Sequence, residues 1–192
     1  MSDKSLFKDI IAQGQQKRRN VDWYQNQVRK ATVGLTLKQL EKTNEKGQKV
    51  KLVYPQPGKF YIFDYNPKYQ EYLPVYDTFP LIFCYKHWDN GFIGMNLHYF
   101  NIKRRAEILK DIDNNRITLY PSRLYKYLDE TKYTKGIIAE VPQSEIIDAC
   151  KIPTEAFYSN VSGNKFKIPK NVVWRTTENI IQNAKKFNLT IT

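Results

Sequence analysis

Residues 79–109 constrain the fold more than any other part of the chain. Two apolar, aromatic runs, 79–85 and 92–100, flank Asn90-Gly91, and a helical pattern follows at once. Asn-Gly between such runs is a strong hairpin signal, because a two-residue type I′ turn needs positive φ at both central residues. The segment therefore predicts a strand, a tight turn, a strand and a helix, in that order.

The hairpin also predicts which side chains share a face. With Asn90-Gly91 as the turn, Asp89 pairs with Phe92, and both faces of the strand pair are mostly apolar. Such a pair is usually covered on both sides or closed into a small barrel. Each face of the hairpin is therefore expected to contribute to a core.

The same register separates the few residues that could carry chemistry. Cys84 lies on the face opposite His98, which argues against a Cys–His nucleophile pair. His87 and His98 share a face, but strand rise places them roughly 13 Å apart, too far to bind one metal ion. A hydrogen-bonded core position is the favoured interpretation of His98, and a ligand or a base is the alternative. Asn96 is interpreted either as a structural amide or as a contact residue.

The rest of the chain favours an α+β fold. The Pro-Gln-Pro-Gly at 55–58 marks a break, and three aromatic strands with short loops after it suggest a small curled antiparallel sheet, for which an SH3-like form is one option. Periodicity and capping residues predict the remaining elements: a strand at 59–65, a helix over 102–112, a short helix at 121–128, a strand at 136–142, a turn capped by Ser144, a loop over 152–164, and a helix opened by Pro169 with Val173, Ile180, Ala184 and Phe187 on one face.

Residues 1–51 form a basic, helix-prone extension with short apolar patches and little core of their own. Such a segment docks on another chain or orders on a polyanion, and a solvated, flexible arm is the alternative. With the break at 55–58, the predicted organisation is a basic helical N-terminal arm over 1–57 and a compact α+β domain over 58–192.

Charge and composition narrow the class of partner. The chain has 31 Lys and Arg against 19 Asp and Glu, a formal charge of +12 over 192 residues. Such a chain is drawn to phosphates, anionic surfaces or acidic partners. Its 14 tyrosines suit partly hydrated interfaces and nucleic-acid grooves, because tyrosine has an apolar ring and a polar hydroxyl. The alternative is that they occupy ordinary positions in a β-sheet. No stretch reaches the roughly 20 apolar residues that span a bilayer, and the N-terminus lacks a signal-peptide core. A protein that is intracellular, or that is assembled inside a cell, is therefore expected.

Catalytic motifs are missing from the sequence. There is no P-loop, GxGxxG, HExxH, GxSxG or zinc spacing, and the carboxylates Asp64, Asp77 and Asp89 occur singly at strand ends or in loops. We therefore predict no enzyme and no catalytic, cofactor-binding or metal-binding residue. Cys84 and Cys150 are interpreted as small buried hydrophobic residues, and a disulfide bond between them is the alternative.

Basic clusters with nearby aromatic residues are the remaining signal. They could neutralise backbone phosphates, while Trp23, Tyr24 and Tyr99 could stack on bases at a strand end. No recognition helix is visible, so binding would follow backbone or shape rather than sequence. A solvated charged face is the alternative. The candidate nucleic-acid-binding residues are Lys17, Arg18, Arg19, Arg29, Lys30, Lys103, Arg104 and Arg105.

Several blocks resemble a known family over residues 58–176. They are KFYIFDYNPK at 59–68, LPVYDTFPL at 73–81, DNGFIGMNLHY at 89–99, IAEVP at 138–142 and VWR at 173–175. These blocks are similar to virion proteins of T4-like tailed bacteriophages, some of which are described as DNA end protectors. The 1–57 arm resembles nothing in particular, and the family brings no active site that can be carried over.

The resemblance implies a non-enzymatic virion protein that acts on or beside packaged DNA and shields its ends from host exonucleases. The implied partners are double-stranded DNA and other phage virion proteins, with no membrane. The implied location is the virion, after assembly in the host cytoplasm. A structural neck, tail or baseplate component that binds other virion proteins is the alternative.

Overall fold

The computed structural model describes residues 5–40, 55–114, 116, 118–128 and 133–186. The fold is α+β, as predicted. The α-helices are α1 (Leu6–Gln16), α2 (Val21–Leu40), α3 (Ile102–Asp113), α4 (Ile146–Ala149) and α5 (Lys170–Lys186). The strands are β1 (Phe60–Tyr65), β2 (Tyr76–Asp77), β3 (Leu81–Trp88), β4 (Gly91–Asn96), β5 (Leu124–Leu128), β6 (Thr134–Glu140), β7 (Phe157–Val161) and β8 (Asn164–Ile168). Short 3-10 helices lie at Leu97–Tyr99, Pro121–Arg123 and Gln143–Glu145.

An antiparallel sheet with the strand order β5-β4-β3-β1-β6 forms the centre of the fold. Tyr61 of β1 lies opposite Ile82 of β3 on one side and Glu140 of β6 on the other. At one end the two edge strands approach each other, because the Thr134 hydroxyl donates to the Leu128 carbonyl at 2.6 Å. The predicted strands near 59–65 and 136–142 are confirmed, while an SH3-like arrangement stays a prediction.

The β3–β4 hairpin is confirmed, but its predicted turn is displaced by one residue. Trp88 pairs with Gly91 and His87 pairs with Phe92, so Asp89 and Asn90 make the turn. Among the described residues, φ is positive at Gly91 but not at Asn90, which excludes a type I′ turn at Asn90-Gly91. Gly91 is required for another reason: a Cβ there would lie 1.9 Å from the backbone oxygen of Tyr127 on β5.

A bulge at Tyr85 shifts the register again, so that Cys84 pairs with Gly94. The predicted pairing of Asp89 with Phe92 is therefore wrong, and so is the strand position of His98. The chain leaves the sheet after Asn96 because the Asn96 side chain accepts from the His98 N–H at 3.0 Å and starts a 3-10 helix.

Both faces of the central sheet contribute buried residues, as the apolar hairpin predicts, while the end of β3 from Tyr85 to Trp88 is exposed. The main core lies between the sheet and the helices, and its buried members include Phe7 and Ile10 of α1, Tyr24 and Val28 of α2, Phe60, Leu81, Phe83, Met95 and Ile108. The opposite face holds a second cluster of Tyr61, Phe63, Tyr65, Ile82, Cys84, Phe92, Tyr127 and Tyr133. Helices α1 and α2 thus share the core of the sheet; the domain boundary at residue 57 stays a prediction.

A second, three-stranded sheet has the order β2-β7-β8 and was not predicted. The loop expected over 152–164 is largely the β7–β8 hairpin. Ser162 (φ 51°) and Gly163 (φ 80°) both have positive φ, so the left-handed two-residue turn expected at Asn90-Gly91 occurs here instead.

Two predicted helical features near the C-terminal half are also wrong. Residues 121–128 form one 3-10 turn and then the edge strand β5, which pairs with β4 along its whole length. No side chain caps the turn near Ser144. The C-terminal helix is confirmed as α5, but it buries Val173, Thr177 and Ile181, whereas Ile180 is 38% exposed. The predicted contribution of Phe187 lies outside the described residues.

Candidate nucleic-acid interface

The cluster Lys17, Arg18 and Arg19 lies at the turn between α1 and α2, and all three side chains are exposed. Close packing of the two helices makes this turn tight. Gly14 faces the ring of Tyr24, and a Cβ at Gly14 would lie 2.3 Å from that ring. The basic turn is thus held on the core by its neighbours, with its cations in solvent.

The second cluster is divided between solvent and an ion pair. Lys30 is exposed, whereas the Arg29 guanidinium donates to both carboxylate oxygens of Asp64 at 2.7 and 2.8 Å. It also lies 4.8 Å above the ring of Phe79. The Asp64 carboxylate therefore already occupies the paired N–H donors of Arg29 that could otherwise bind a phosphate.

The third cluster, residues 103–105, is divided among solvent, an ion pair and the core. Lys103 is exposed, and Arg104 bridges α3 to α5 by donating to Glu178 at 3.1 Å. Arg105 has no exposed surface. Arg105 is one of the candidate nucleic-acid-binding residues, but its guanidinium lies in the core and donates to buried acceptors.

Arg105 ties several segments together through the core. Its N–H groups donate to the carbonyls of Leu97, His98, Phe100 and Cys150, and to Glu155 at 2.6 Å. Burial by itself would raise the pKa of Glu155, but the charges of Arg105, His98 and Lys170 lower it to about 2. The pair is therefore ionised across the ordinary pH range and supports the fold from inside.

A chain of buried polar groups runs beside this pair. Nδ1 of His98 lies 2.8 Å from Asp77, and Nε2 lies 3.3 Å from the Thr154 hydroxyl. The order of hydroxyl, imidazole and carboxylate resembles a nucleophile triad. His98 and Thr154 have no exposed surface, so no substrate can reach the hydroxyl. The prediction of a hydrogen-bonded core histidine is confirmed.

Asp77 and Asn96 hold this chain under the floor of a cleft. The Asp77 carboxylate also accepts from the Phe79 N–H at 3.0 Å and from the Asn96 amide at 3.2 Å. Asn96 is thus a structural amide, one of its two predicted roles. Both carboxylate oxygens of Asp77 thus have hydrogen-bond partners within the protein.

The cleft has a volume of about 350 Å³ and is lined by residues of both sheets. Its walls come from β2, from the whole of β5, from the loop over 67–73 and from the end of β3. Tyrosine is the most frequent residue in the lining, which includes Tyr65, Tyr69, Tyr76, Tyr99, Tyr125 and Tyr127.

Ring contacts fix the walls of the cleft. Tyr125 stacks on Tyr99 at 5.2 Å, and the guanidinium of the buried Arg123 lies 4.8 Å from the Tyr99 ring. Burial raises the pKa of Tyr65, Tyr76, Tyr99 and Tyr127 above the usual value for a phenol. The phenols consequently stay neutral at physiological pH and add no negative charge to the cleft.

Cations and exposed rings lie at the rim. The Lys126 ammonium lies 4.1 Å from the ring centroid of Trp88, and Lys68 lies 5.4 Å from Tyr69. Trp88 is 37% exposed and Tyr69 is 58% exposed. The cleft therefore combines accessible aromatic faces with positive charge, the two features that bind unstacked nucleotides.

Of the three aromatic residues that the sequence analysis named for base stacking, Tyr99 lines the cleft, whereas Trp23 and Tyr24 do not. Tyr24 is buried against Gly14, and Trp23 is half-buried with Arg19 5.9 Å from its ring. Tyr99 is buried in a cleft wall. The signals that could have found the cleft were the number of tyrosines and the alternating Leu-Tyr-Lys-Tyr-Leu at 124–128, which was interpreted as a helix.

The model of the family described as phage T4 terminal DNA protecting protein matches residues 4–122. The chain belongs to this family. The match spans α1, α2, the β3–β4 hairpin and α3, so it includes the N-terminal region in which no resemblance was seen. It confirms the suspected relationship to phage DNA end protectors. No curated protein and no solved structure matches the chain.

Within the described residues, no group of three or more His, Cys, Asp or Glu side chains is placed to hold a metal ion. None of the helices in the same ranges combines the length and the apolar character needed to cross a membrane.

Proposed function

We propose that this protein binds the termini of phage DNA and shields them from exonucleases by covering them, without catalysis. The observation that carries the proposal is the match of residues 4–122 to the phage T4 terminal DNA protecting protein family. The formal charge of +12 is consistent with a polyanionic partner. Double-stranded DNA is the main ligand in this proposal, and the virion is its place of action after assembly in the host cytoplasm, beside other virion proteins.

The exposed cations are the proposed phosphate contacts. Lys17, Arg18, Arg19, Lys30 and Lys103 present their charges to solvent. Each phosphate that they neutralise releases condensed counterions, so affinity falls steeply as salt rises. Such contacts are independent of sequence, which suits a protein that must cover any terminus.

The other three candidates have a different place in this proposal. Arg29 and Arg104 are partly exposed but already paired with Asp64 and Glu178, so contact with DNA would compete with those ion pairs. Arg105 is buried and is withdrawn from the proposed interface. Its role is to hold α3, and with it Lys103, on the core.

The test compares blunt linear DNA with the same DNA as a closed circle, in a salt series with Mg²⁺ present. The expected result is tighter binding to the linear form and protection of its ends from an added exonuclease. Equal, weak binding to both forms that disappears with salt would overturn end protection. It would favour the alternative of a structural neck, tail or baseplate component.

A charge-reversal variant tests the residues. Lys17→Glu, Arg18→Glu and Arg19→Glu together should weaken binding by at least about tenfold and flatten its salt dependence, since phosphate contacts set that slope. The matched control reverses three exposed cations elsewhere: Lys8→Glu, Lys110→Glu and Arg116→Glu. An equal loss in both triple variants would mean that net charge, rather than the α1–α2 turn, drives binding.

A further inference from the structure

Phosphate contacts alone do not explain how a protein selects a DNA end. The phosphates of a terminus and those of the interior present nearly the same charge and spacing, so the basic clusters favour any duplex. An end differs because its last base pair has one uncovered face and opens more readily than an interior pair. Selection of an end therefore needs a surface that accepts a base.

We propose that the cleft between the two sheets takes the unstacked terminal nucleotide of the DNA, with its base against the aromatic lining and its phosphate at the lysine rim. The inference rests on the proposed function and deepens it by assigning the end-selective contact. The exposed faces of Trp88 and Tyr69 form the entrance, and Lys126 and Lys68 supply the adjacent charge.

The dimensions and composition of the cleft fit one nucleotide rather than a duplex. Its volume of about 350 Å³ is at the lower end of the range of about 300–1,000 Å³ for small-ligand pockets. Stacking on aromatic faces tolerates every base, because each base has a π face. A terminus of any sequence could therefore enter.

The charge around the cleft favours this occupant over a cationic or a purely apolar one. Among the described residues that line the cleft, the only carboxylate is that of Asp77, which is 4% exposed and accepts from Asn96 and His98. The lysines are on the rim rather than in the interior. A base inside and a phosphate outside match this division between aromatic walls and a cationic edge.

Capture of the last nucleotide would also account for protection. An exonuclease must bring the terminal phosphodiester into its own active site. A base held by the exposed rings of Trp88 and Tyr69 at the cleft withdraws that nucleotide, while the basic clusters hold the adjoining duplex. The two surfaces then have separate tasks, selection of the end and affinity for the backbone.

The first experiment uses a blunt duplex with the fluorescent base 2-aminopurine in its last base pair, and a second duplex with the same base at its centre. When the wild-type protein binds, the terminal probe should change its fluorescence, because the base leaves the duplex stack and meets aromatic side chains. The central probe should not respond. Binding without a response from the terminal probe would overturn the inference.

The second experiment compares cleft variants with matched aromatic controls. Trp88→Ala combined with Tyr69→Ala should reduce affinity for linear DNA roughly tenfold and leave affinity for the closed circle unchanged. The control, Tyr85→Ala with Phe166→Ala, removes two exposed rings that do not line the cleft, and it should retain the preference for ends.

The outcomes separate the two proposals. If the wild-type protein prefers ends and the cleft variant retains that preference, the inference about the cleft is wrong while end protection stands. If the wild-type protein shows no preference for ends, the proposed function fails and the inference fails with it. Equal losses on linear and circular DNA would mean that the two rings contribute to general affinity, which would also overturn end selection by the cleft.

Discussion

The guanidinium of Arg105 donates to the carboxylate of Glu155 over 2.6 Å, and neither side chain has exposed surface. The contact joins α3 to the segment that precedes β7. A residue in a run of three cations, which by sequence looks like a phosphate contact, is therefore part of the core. Its charge is compensated inside the protein.

Replacement of Arg105 should consequently affect stability rather than DNA binding. Arg105→Ala leaves Glu155 buried without its main partner and should cost about 3–5 kcal/mol of unfolding free energy. Urea denaturation measures this loss. The matched control is Lys103→Ala, an exposed cation on the same helix, which should cost about 0.5 kcal/mol or less. A small loss for Arg105→Ala would contradict the buried pair.

The pH dependence of stability should report the Glu155 carboxylate. Its pKa is about 2 in the folded protein against a usual value of 4.5. Because the folded pKa is lowered, the stabilisation is complete above pH 4.5 and is lost as the pH falls towards 2, by about 3 kcal/mol in all. Glu155→Gln should remove this contribution, so its denaturation midpoint should fall less between pH 5 and pH 3 than that of the wild type.

The control for this pH series is Glu71→Gln, which removes a carboxylate from an exposed position. It should keep the wild-type dependence on pH. If Glu155→Gln and the wild type lost stability in parallel between pH 5 and pH 3, the acid sensitivity would belong to other carboxylates.

The stability costs of substitutions in the two hairpins should follow the backbone φ at each site and the space available for a Cβ atom. Gly91→Ala should cost at least about 2 kcal/mol, because its Cβ would overlap the Tyr127 carbonyl and its φ of 154° is strained for alanine. Gly163→Ala, at φ 80° in open space, should cost about 1 kcal/mol. Asn90→Ala should cost about 0.5 kcal/mol or less. Thermal denaturation measures these costs. An equal cost at Asn90 and at Gly91 would contradict the observed turn and support a type I′ turn at Asn90-Gly91.

The two cysteine thiols should be unreactive in the folded protein. Cys84 and Cys150 are free and buried, and burial raises the pKa of Cys84 to about 11 and that of Cys150 to about 12. A disulfide reagent that attacks thiolates should titrate both thiols in denaturant but react slowly under native conditions. Fast native labelling, or the absence of thiols in denaturant, would contradict this assignment.

The elements that the sequence predicted well are those with strong local signals. Strand β1, the β3–β4 hairpin, α3 and α5 each follow from apolar periodicity bounded by turn or cap residues. One error occurred where the local signal is ambiguous. The segment 121–128 has apolar spacing that suits one turn of helix, but it becomes an edge strand because β4 offers it a pairing partner.

By itself, the sequence determined the α+β class, the basic character and the family, because these depend on periodicity, composition and matched residues along the chain. Tertiary structure decided which cations face solvent and which rings form a cleft. Burial and contact are properties of distant segments brought together: Arg105 meets Glu155 across 50 positions, and the cleft joins β2, the end of β3 and β5. Local pattern could not specify these placements, because an arginine or a tyrosine with the same neighbours in sequence can be either buried or exposed.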